Sequence, residues 1–247
     1  MILSGKNAVV TGTLQGIGKE TLEYFAANGA NVWACAQTAS DEFESYCREL
    51  SQMYNVWITP VYFDLLNTDE IKAAVKSIQT TKLPVDILVN IAGVAKDALF
   101  HMVSMDVMKT VFEVNFFSQI YFSQFITKLM LRNGKGSVIF VSSISALDGN
   151  VGQLAYSSSK AALIGAMRTM SKELASKGIR VNAIAPGVIN TAMNKVVSAD
   201  VIAEKVRQMD VKRLGEATEV ASTIAFLASD LSDYITGQVV RVDGGIK

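Results

Sequence analysis

Tyr156 and Lys160 are the two residues of this sequence whose types and spacing most directly suggest chemistry. They lie four positions apart and are followed by good helix formers, so a helix that includes Tyr156 would present both side chains on one face. A lysine ammonium about 4 Å from a phenol oxygen favours the phenolate by roughly 4 kcal/mol at an effective dielectric of ~20. We therefore expect Lys160 to lower the pKa of Tyr156 toward neutrality, so that the phenol exchanges a proton with a carbonyl or alcohol oxygen.

Ser143 is expected to hold the same oxygen, because it follows a predicted strand thirteen residues before Tyr156. A purely structural interpretation of all three residues is also open. A Tyr and a Lys at helical spacing occur on many helices, and serine-rich links between a strand and a helix are ordinary loops. The other motifs of the chain decide between these interpretations.

The composition is that of a single α/β domain in a reducing compartment. The 247 residues suffice to bury about 70–75% of the unfolded surface. Lys plus Arg (23) equals Asp plus Glu (23), which provides no basic field for nucleic acid. No apolar run approaches the ~20 residues that span a bilayer, and the N-terminus lacks a signal-peptide pattern. Cys35 and Cys47 have no CxxC partner, so we expect a cytoplasmic protein with reduced thiols and no metal site.

Short apolar runs alternate with amphipathic segments along the whole chain. The runs predicted to be strands are 7–10, 32–36, 56–63, 85–90, 136–142, 179–184 and 239–242. The segments with helical spacing are 19–28, 41–53, one that begins at 67 or 68, 105–132, one that includes 156 and ends near 178, and 216–229. This alternation predicts an α/β fold with one doubly wound parallel sheet of about seven strands and helices on both faces, in a single domain over residues 1–247.

Three glycines (Gly12, Gly16 and Gly18) lie between the first strand and the first helix. A doubly wound sheet places a phosphate at this point, against the amides of the helix N-terminus. The spacing is GxxxGxG and differs from the common GxGxxG fingerprint, and a tight turn without a ligand would also use glycines.

Polar and small residues follow the third and fourth strands. Asp64 could accept a hydrogen bond from an adenine amino group, and the small Ala92-Gly93 pair after Asn90 would let a ribose approach the backbone. As alternatives, Asp64 and Gly93 could be ordinary turn residues.

In this order the motifs resemble those of the short-chain dehydrogenase/reductase family, and within it the 3-oxoacyl-(acyl-carrier-protein) reductase group. The match spans the whole chain and rests on Thr11-Gly12-x3-Gly16-x-Gly18, Asp64, Asn90-x-Ala92-Gly93, Asn115, Ser143, Tyr156-x3-Lys160, Pro186-Gly187 with Thr191, and Asp243-Gly244-Gly245. The resemblance to the reductase group rests on Lys96-Asp97, 178–182, Arg213-Leu214-Gly215 and 234–237.

The resemblance implies a Rossmann-type domain that transfers a hydride between a nicotinamide cofactor and a ketone or secondary alcohol. Tyr156 would be the general acid, Lys160 would lower its pKa and bind the ribose, Ser143 would steady the substrate oxygen, and Asn115 would hold a relay water. The implied cofactor-binding residues are Gly12, Thr13, Gln15, Gly16, Ile17, Gly18, Gln37, Thr38, Asp64, Leu65, Asn90, Ala92, Gly93, Tyr156, Lys160, Pro186, Gly187, Ile189 and Thr191.

The cofactor preference depends on two positions. Many NADPH-dependent members of the family carry a basic residue where this chain has Gln15, which brings no charge. The second strand ends in Ala36-Gln37-Thr38, without the acid that selects NAD. Asp41 follows too far along the chain to take that role. We therefore expect NADP(H), with NAD(H) as the second option.

The substrate and partners are less determined. The resemblance implies a substrate flap near 190–213, with apolar residues Met193, Val196, Val197, Ile202 and Met209, and a homodimer or homotetramer. Arg132 and Lys177 are candidate docking residues for an acyl carrier protein, or merely solvated helix ends. The expected reaction is reduction of a 3-oxoacyl thioester. The alternatives are a reductase of a free sugar, polyol, steroid or hydroxy acid and, behind both, a non-catalytic nucleotide-binding subunit.

Overall fold

Alternating strands and helices make up the computed structural model, which describes residues 1–191 and 199–246. The strands are β1 (Asn7–Thr11), β2 (Asn31–Ala36), β3 (Ile58–Tyr62), β4 (Ile87–Asn90), β5 (Gly136–Val141), β6 (Ile179–Pro186) and β7 (Val239–Val242). The α-helices are α1 (Gly16–Ala27), α2 (Asp41–Tyr54), α3 (Thr68–Thr80), α4 (Met105–Phe112), α5 (Ser118–Asn133), α6 (Ser145–Asp148), α7 (Leu154–Leu174), α8 (Ala199–Gln208) and α9 (Ala217–Ala228).

The seven strands form one parallel sheet in the order β3-β2-β1-β4-β5-β6-β7. The order reverses between β1 and β4, which is the point where open α/β sheets bind ligands. Pro60 is tolerated in β3 because that strand lies at the edge of the sheet. The predicted doubly wound, Rossmann-type fold is confirmed.

Two apolar cores flank the sheet, because successive strand residues point to opposite faces. Ala8 and Val10 of β1 face a core shared with α1, α2 and α9, while Val9 faces a core shared with α3, α5 and α7. Both faces are covered, which explains why the strands read as nearly continuous apolar runs.

The helix predicted over 105–132 is interrupted. A π-helical turn, Glu113–Phe117, separates α4 from α5 and contains the fully buried Asn115. Both amide atoms of Asn115 bond to the backbone of Val94, so the turn fits a side chain that pairs with the loop after β4. Such turns are frequent at functional sites.

Part of the predicted flap is described and part is not. Met193, Val196 and Val197 lie outside the described residues, whereas α8 follows them and Met209 is buried. No helix in the described ranges has the length and apolarity needed to cross a membrane.

Candidate active site

The carboxyl ends of the parallel strands bring the predicted catalytic residues to one edge of the sheet. Ser143 follows β5, and Tyr156 and Lys160 lie in the first two turns of α7. The Lys160 ammonium is 5.9 Å from the centre of the Tyr156 ring, so the two side chains share a face as predicted.

Lys160 is a buried cation, with only 2% of the residue exposed. Its Nζ donates to the Val141 carbonyl over 2.8 Å, and burial lowers its pKa from the usual 10.5 to about 8. The Ser142 hydroxyl donates to the Lys160 carbonyl over 2.9 Å and anchors the second turn of α7 to the end of β5.

The expected lowering of the Tyr156 pKa was wrong for the protein without ligand. Burial raises the pKa of Tyr156 above its usual value, the Ser143 hydroxyl opposes this by hydrogen bonding, and the Asp97 carboxylate adds to the rise. The physical reason is desolvation of the phenolate, while the Lys160 ammonium is itself desolvated and directed at the Val141 carbonyl.

Asn115 and Gly93 complete the inner wall of the site. Asn115 accepts from the Val94 N–H (2.8 Å) and donates to the Val94 carbonyl (2.9 Å) and to Ser159 Oγ (3.1 Å). A Cβ added at Gly93 would lie 3.1 Å from Asn115 Oδ1 and 3.2 Å from Lys160 Nζ. Gly93 therefore leaves the space beside the lysine open.

The glycine turn is closed by contacts that leave no room for side chains. A Cβ at Gly18 would lie 1.9 Å from the Gly12 carbonyl oxygen, and one at Gly12, where φ is +74°, would lie 2.9 Å from the Ala92 nitrogen. Gly16 also has a positive φ of +54° and faces the Thr191 methyl. The turn packs directly against the loops after β4 and β6.

Neighbouring side chains support this turn. The Thr13 hydroxyl donates to the Cys35 carbonyl (3.0 Å), which ties the turn to β2. The Thr11 hydroxyl accepts from the N–H groups of Ile91 and Ala92 (3.0 and 3.2 Å), which ties β1 to the loop after β4. Thr11 was quoted in the motif but was not predicted to act in the site.

The residues after β2 and β3 meet as a pair. Gln37 Nε2 donates to Asp64 Oδ2 over 3.0 Å, and Asp64 Oδ1 accepts from the Leu66 N–H over 2.8 Å. Thr38 next to Gln37 is exposed. The pair forms a polar corner at the edge of the cleft, and Leu65 adjoins it through its carbonyl, which accepts from Ser118 Oγ.

The segment after β6 faces the glycine turn from the other side. The Pro186 carbonyl accepts from the Ile144 N–H over 3.0 Å, and a Cβ at Gly187 would lie 2.7 Å from the Asp243 Cα. Ile189 pairs with Gly215 in a short parallel bridge, which carries Thr191 toward Gly16.

A dinucleotide fits the residues present. The glycine turn precedes a helix with no acidic residue in its first turn, and Gln15 occupies the N-cap position without a side-chain cap bond. Free amides and the positive end of the helix dipole therefore face the turn, as an anionic pyrophosphate requires. Asn90 is fully buried and donates to Ser123 Oγ over 3.0 Å, and Ile17 is partly buried against the core shared by α1, α2 and α9.

Arg132, Lys177 and His101 are not brought to the site. Arg132 and Lys177 lie next to the starts of β5 and β6, at the opposite edge of the sheet from Ser143. The 21 residues of α7 span about 30 Å between these edges. His101 lies exposed in the loop between β4 and α4. Within the described ranges no group of three or more His, Cys, Asp or Glu side chains is placed to hold a metal ion.

Sequence reasoning missed one further group at the cleft. Asp97, Ser145 and Gln153 form hydrogen bonds that end at Ser143 Oγ. Lys96-Asp97 contributed to the resemblance as a motif, but nothing in the spacing signalled a contact with Gln153.

Comparisons with known proteins identify the family of the chain. The family described as "Enoyl-(Acyl carrier protein) reductase" matches residues 12–247. The 3-oxoacyl-[acyl-carrier-protein] reductase FabG of Aquifex aeolicus is 36% identical over 244 residues, which cover 99% of this chain and 98% of the relative. That of Thermotoga maritima is 36% identical over 246 residues, with 100% and 99% covered.

Solved structures show the same architecture. A Beutenbergia cavernae protein described as an NAD(P)-dependent gluconate 5-dehydrogenase, with NADP bound at low occupancy, superposes with a TM-score of 0.92 at 32% identity over 98% of this chain and 96% of that one. The L-sorbose reductase of Gluconobacter frateurii, complexed with NADPH and L-sorbose, gives 0.91 at 28% identity over 100% and 98%. Because the family model matches residues 12–247 and these relatives are 36% identical over almost the whole chain, the chain belongs to the short-chain dehydrogenase/reductase family of oxidoreductases.

Proposed function

We propose that the protein reduces 3-oxoacyl thioesters to 3-hydroxyacyl thioesters with NADPH. The observation that carries this proposal is the full-length identity of 36% to 3-oxoacyl-[acyl-carrier-protein] reductases, in a chain that holds Ser143, Tyr156 and Lys160 around one cleft. The nicotinamide would supply the hydride, and the protein supplies position, charge and the proton.

The roles of the side chains follow from their contacts. The Ser143 hydroxyl and the Tyr156 phenol can both donate to the carbonyl oxygen, which gains negative charge in the transition state. Tyr156 then gives its proton to that oxygen as general acid. A raised pKa suits this direction of reaction, because it keeps the phenol protonated at neutral pH.

Lys160 and Asn115 would act behind Tyr156. Burial lowers the pKa of Lys160 to about 8, so its ammonium can give up a proton when the Tyr156 phenolate is reprotonated. Gly93 leaves space next to Lys160 and Asn115, where a ribose hydroxyl or a water can lie. Both polar atoms of the Asn115 amide bond to the Val94 backbone. Asn115 would therefore support a proton relay by fixing the wall beside the relay water.

The polar corner formed by Gln37 and Asp64 supports NADP(H) as the cofactor. The neutral Gln37 replaces the acid that would repel a 2′-phosphate, and its amide is held by Asp64. Two similar solved structures hold NADP or NADPH. Asp41 and Glu42 at the start of α2 reduce the local positive potential, so NAD(H) remains the second option.

The assembly and carrier proposals rest on surfaces of the single chain. Phe117 is exposed at the junction of α4 and α5, beside a groove lined by Phe116 and Tyr121, which supports a homodimer or homotetramer that covers this face. Arg132 and Lys177 remain candidate contacts for an acidic acyl carrier protein in the cytoplasm, although they lie far from Tyr156 of the same chain.

A free polyol or sugar is the second candidate substrate. Solved structures of the same fold at 28–32% identity include a sugar reductase and a protein described as a gluconate dehydrogenase. The same Ser143–Tyr156–Lys160 chemistry would serve either class.

A matrix of two cofactors and two substrate classes tests the proposal. Purified protein is assayed with NADPH or NADH against acetoacetyl-CoA and against a set of keto-sugars, with Tyr156→Phe as the matched control. We expect fast NADPH oxidation with acetoacetyl-CoA, slow NADH oxidation, and none in the variant. Turnover of keto-sugars alone would move the protein to the second class, and cofactor binding without any turnover would favour a non-catalytic role.

A further inference from the structure

A run of hydrogen bonds, which we call the Asp97 chain, leads away from Ser143 and has no part in the mechanism above. The Ser145 N–H donates to Ser143 Oγ over 3.1 Å, and Ser145 Oγ donates to Gln153 Oε1 over 2.8 Å. Gln153 Nε2 then donates to Asp97 Oδ2 over 3.1 Å. The Asp97 chain thus joins the loop after β4, the loop after β5 and the residue that precedes α7.

The carboxylate at the end of the Asp97 chain fixes the direction of two of its bonds. An ionised carboxylate only accepts hydrogen bonds, so Gln153 must turn its NH₂ group toward Asp97. The Gln153 carbonyl then faces Ser145, whose hydroxyl must donate to it. This bond anchors Ser145 to the residue before α7, so that the Ser145 backbone N–H stays on Ser143 Oγ.

The Asp97 chain determines how Ser143 can use its hydroxyl group. The Ser145 N–H occupies one acceptor position on Ser143 Oγ, so the Ser143 hydroxyl hydrogen is left to point into the cleft. The partner in that direction is Tyr156, whose pKa the Ser143 hydroxyl lowers against the effect of burial.

Backbone contacts make the arrangement rigid. The Ala98 N–H donates to the Gly152 carbonyl over 2.8 Å, and Ala98 pairs with Gln153 in a parallel bridge. Gln153 lies one helical turn before Tyr156. Among the described residues, the charged groups recorded near the Tyr156 ring are Lys160 from α7 and Asp97 from the loop after β4.

We infer that Asp97 and Gln153 are positioning residues for the reduction, which hold the Ser143 hydroxyl as a donor to the reacting oxygen. The inference rests on the proposed roles of Ser143 and Tyr156. Neither Asp97 nor Gln153 needs to touch the substrate, because both act by holding Ser145, whose backbone N–H donates to Ser143 Oγ.

Three variants separate the charge from the hydrogen bonds. Asp97→Asn removes the charge and lets Gln153 flip, so kcat should fall about tenfold, the size of one net hydrogen bond, with little change in KM. Asp97→Glu should retain most of the activity. Gln153→Leu should lower kcat to a similar extent while leaving the carboxylate near Tyr156. Asp69→Asn, an exposed carboxylate on α3, is the matched control and should behave as wild type.

The pH profile distinguishes positioning from simple structural support. The Asp97 charge disfavours the phenolate, so Asp97→Asn should move the alkaline limb of kcat/KM to lower pH. Gln153→Leu should not move the limb downward. Wild-type kcat and an unmoved limb in Asp97→Asn would overturn the inference. A loss of activity that Asp97→Glu shares, together with an equal fall in Tm, would overturn it as well.

A readout without substrate keeps this test apart from the proposed function. The phenolate absorbance of Tyr156 is obtained by subtracting the titration of a matching Tyr156→Phe variant, for both the wild-type and the Gln153→Leu proteins. A higher midpoint in Gln153→Leu, which keeps the Asp97 charge but loses the hold on the Ser143 hydroxyl, supports the inference even if acetoacetyl-CoA is not a substrate. An identical midpoint contradicts it whatever the wild-type protein reduces.

Discussion

The cofactor side and the catalytic side of the cleft are built in opposite ways. Around β1 the surface consists of backbone, since a Cβ at Gly12 or Gly18 would collide with neighbouring backbone atoms. Around β5 and α7 it is shaped by buried polar side chains, with Asn115 fully buried and Lys160 nearly so. The cofactor side should therefore lose NADPH affinity when an atom is added, and the catalytic side should lose activity when a polar atom is removed.

Removal of the Tyr156 hydroxyl should give the largest effect. Tyr156→Phe should lower kcat about 10³-fold, because the proton donor to the carbonyl oxygen is lost. The affinity for NADPH should change less than about twofold, since the phenol forms no part of the glycine turn. Steady-state kinetics and a fluorescence titration with NADPH measure the two quantities, and activity close to wild type would refute the role of Tyr156.

Addition of one methyl group at Gly18 should damage the other side of the cleft. In Gly18→Ala the new Cβ would lie 1.9 Å from the Gly12 carbonyl oxygen, so the turn must shift. We expect a loss of about 3 kcal/mol in the free energy of unfolding and at least a ~100-fold loss of NADPH affinity.

Gly165→Ala is the matched control for Gly18→Ala. Gly165 lies in α7, and a Cβ there meets nothing within 4 Å. The substitution should raise the free energy of unfolding by about 0.5 kcal/mol through helix propensity. If both alanine variants bound NADPH like wild type, the steric account of the glycine turn would be wrong.

Removal of the buried charge of Lys160 should slow turnover and yet stabilise the protein. The folded-state pKa of about 8 lies below the usual 10.5, so the burial penalty is fully present below pH 8 and is relieved as the pH rises toward 10.5. At neutral pH, Lys160→Met should raise the free energy of unfolding by about 2 kcal/mol, less than the full shift because the Val141 carbonyl loses its donor.

Urea unfolding of the ligand-free protein measures this effect of Lys160→Met. The gap between variant and wild type should narrow between neutral pH and about pH 10, because only the wild type loses its proton in that range. A gap that stays constant with pH, or a variant that is less stable at neutral pH, would show that Lys160 carries no burial penalty.

A substitution in the polar corner formed by Gln37 and Asp64 should give the smallest effect. Gln37→Asp places a carboxylate beside Asp64 and toward a 2′-phosphate, so the ratio of NADPH to NADH affinity should fall about tenfold. Gln37→Met removes the amide without adding charge and should change the ratio far less. An unchanged ratio in Gln37→Asp would place the 2′-phosphate away from Gln37.

Sequence patterns predicted the strands well and the hydrogen bonds poorly. Apolar runs located both ends of all seven strands to within about two residues, since both faces of the sheet are covered. Motif order brought Ser143, Tyr156 and Lys160 to one edge, because carboxyl ends of parallel strands converge. These features depend on local composition and on topology.

The features that were missed depend on contacts between distant residues. The π-helical turn at Glu113–Phe117 reads in sequence as continuous helix, because one extra residue hardly disturbs the apolar spacing. The raised pKa of Tyr156 depends on burial in the folded protein. Asp97 and Gln153 are 56 residues apart, and no spacing rule pairs them.

The packing of α1 has a consequence for how the protein is made. Leu22 and Phe25 of this helix share a core with Val220 and Ile224 of α9, and 190 positions separate Ala27 from Ala217. At ~5–20 residues per second, a ribosome needs about 10–40 s to cover that distance. During this time the helix that carries the glycine turn lacks the cover of α9, so the nascent chain presents part of this apolar surface to chaperones until α9 has been synthesised.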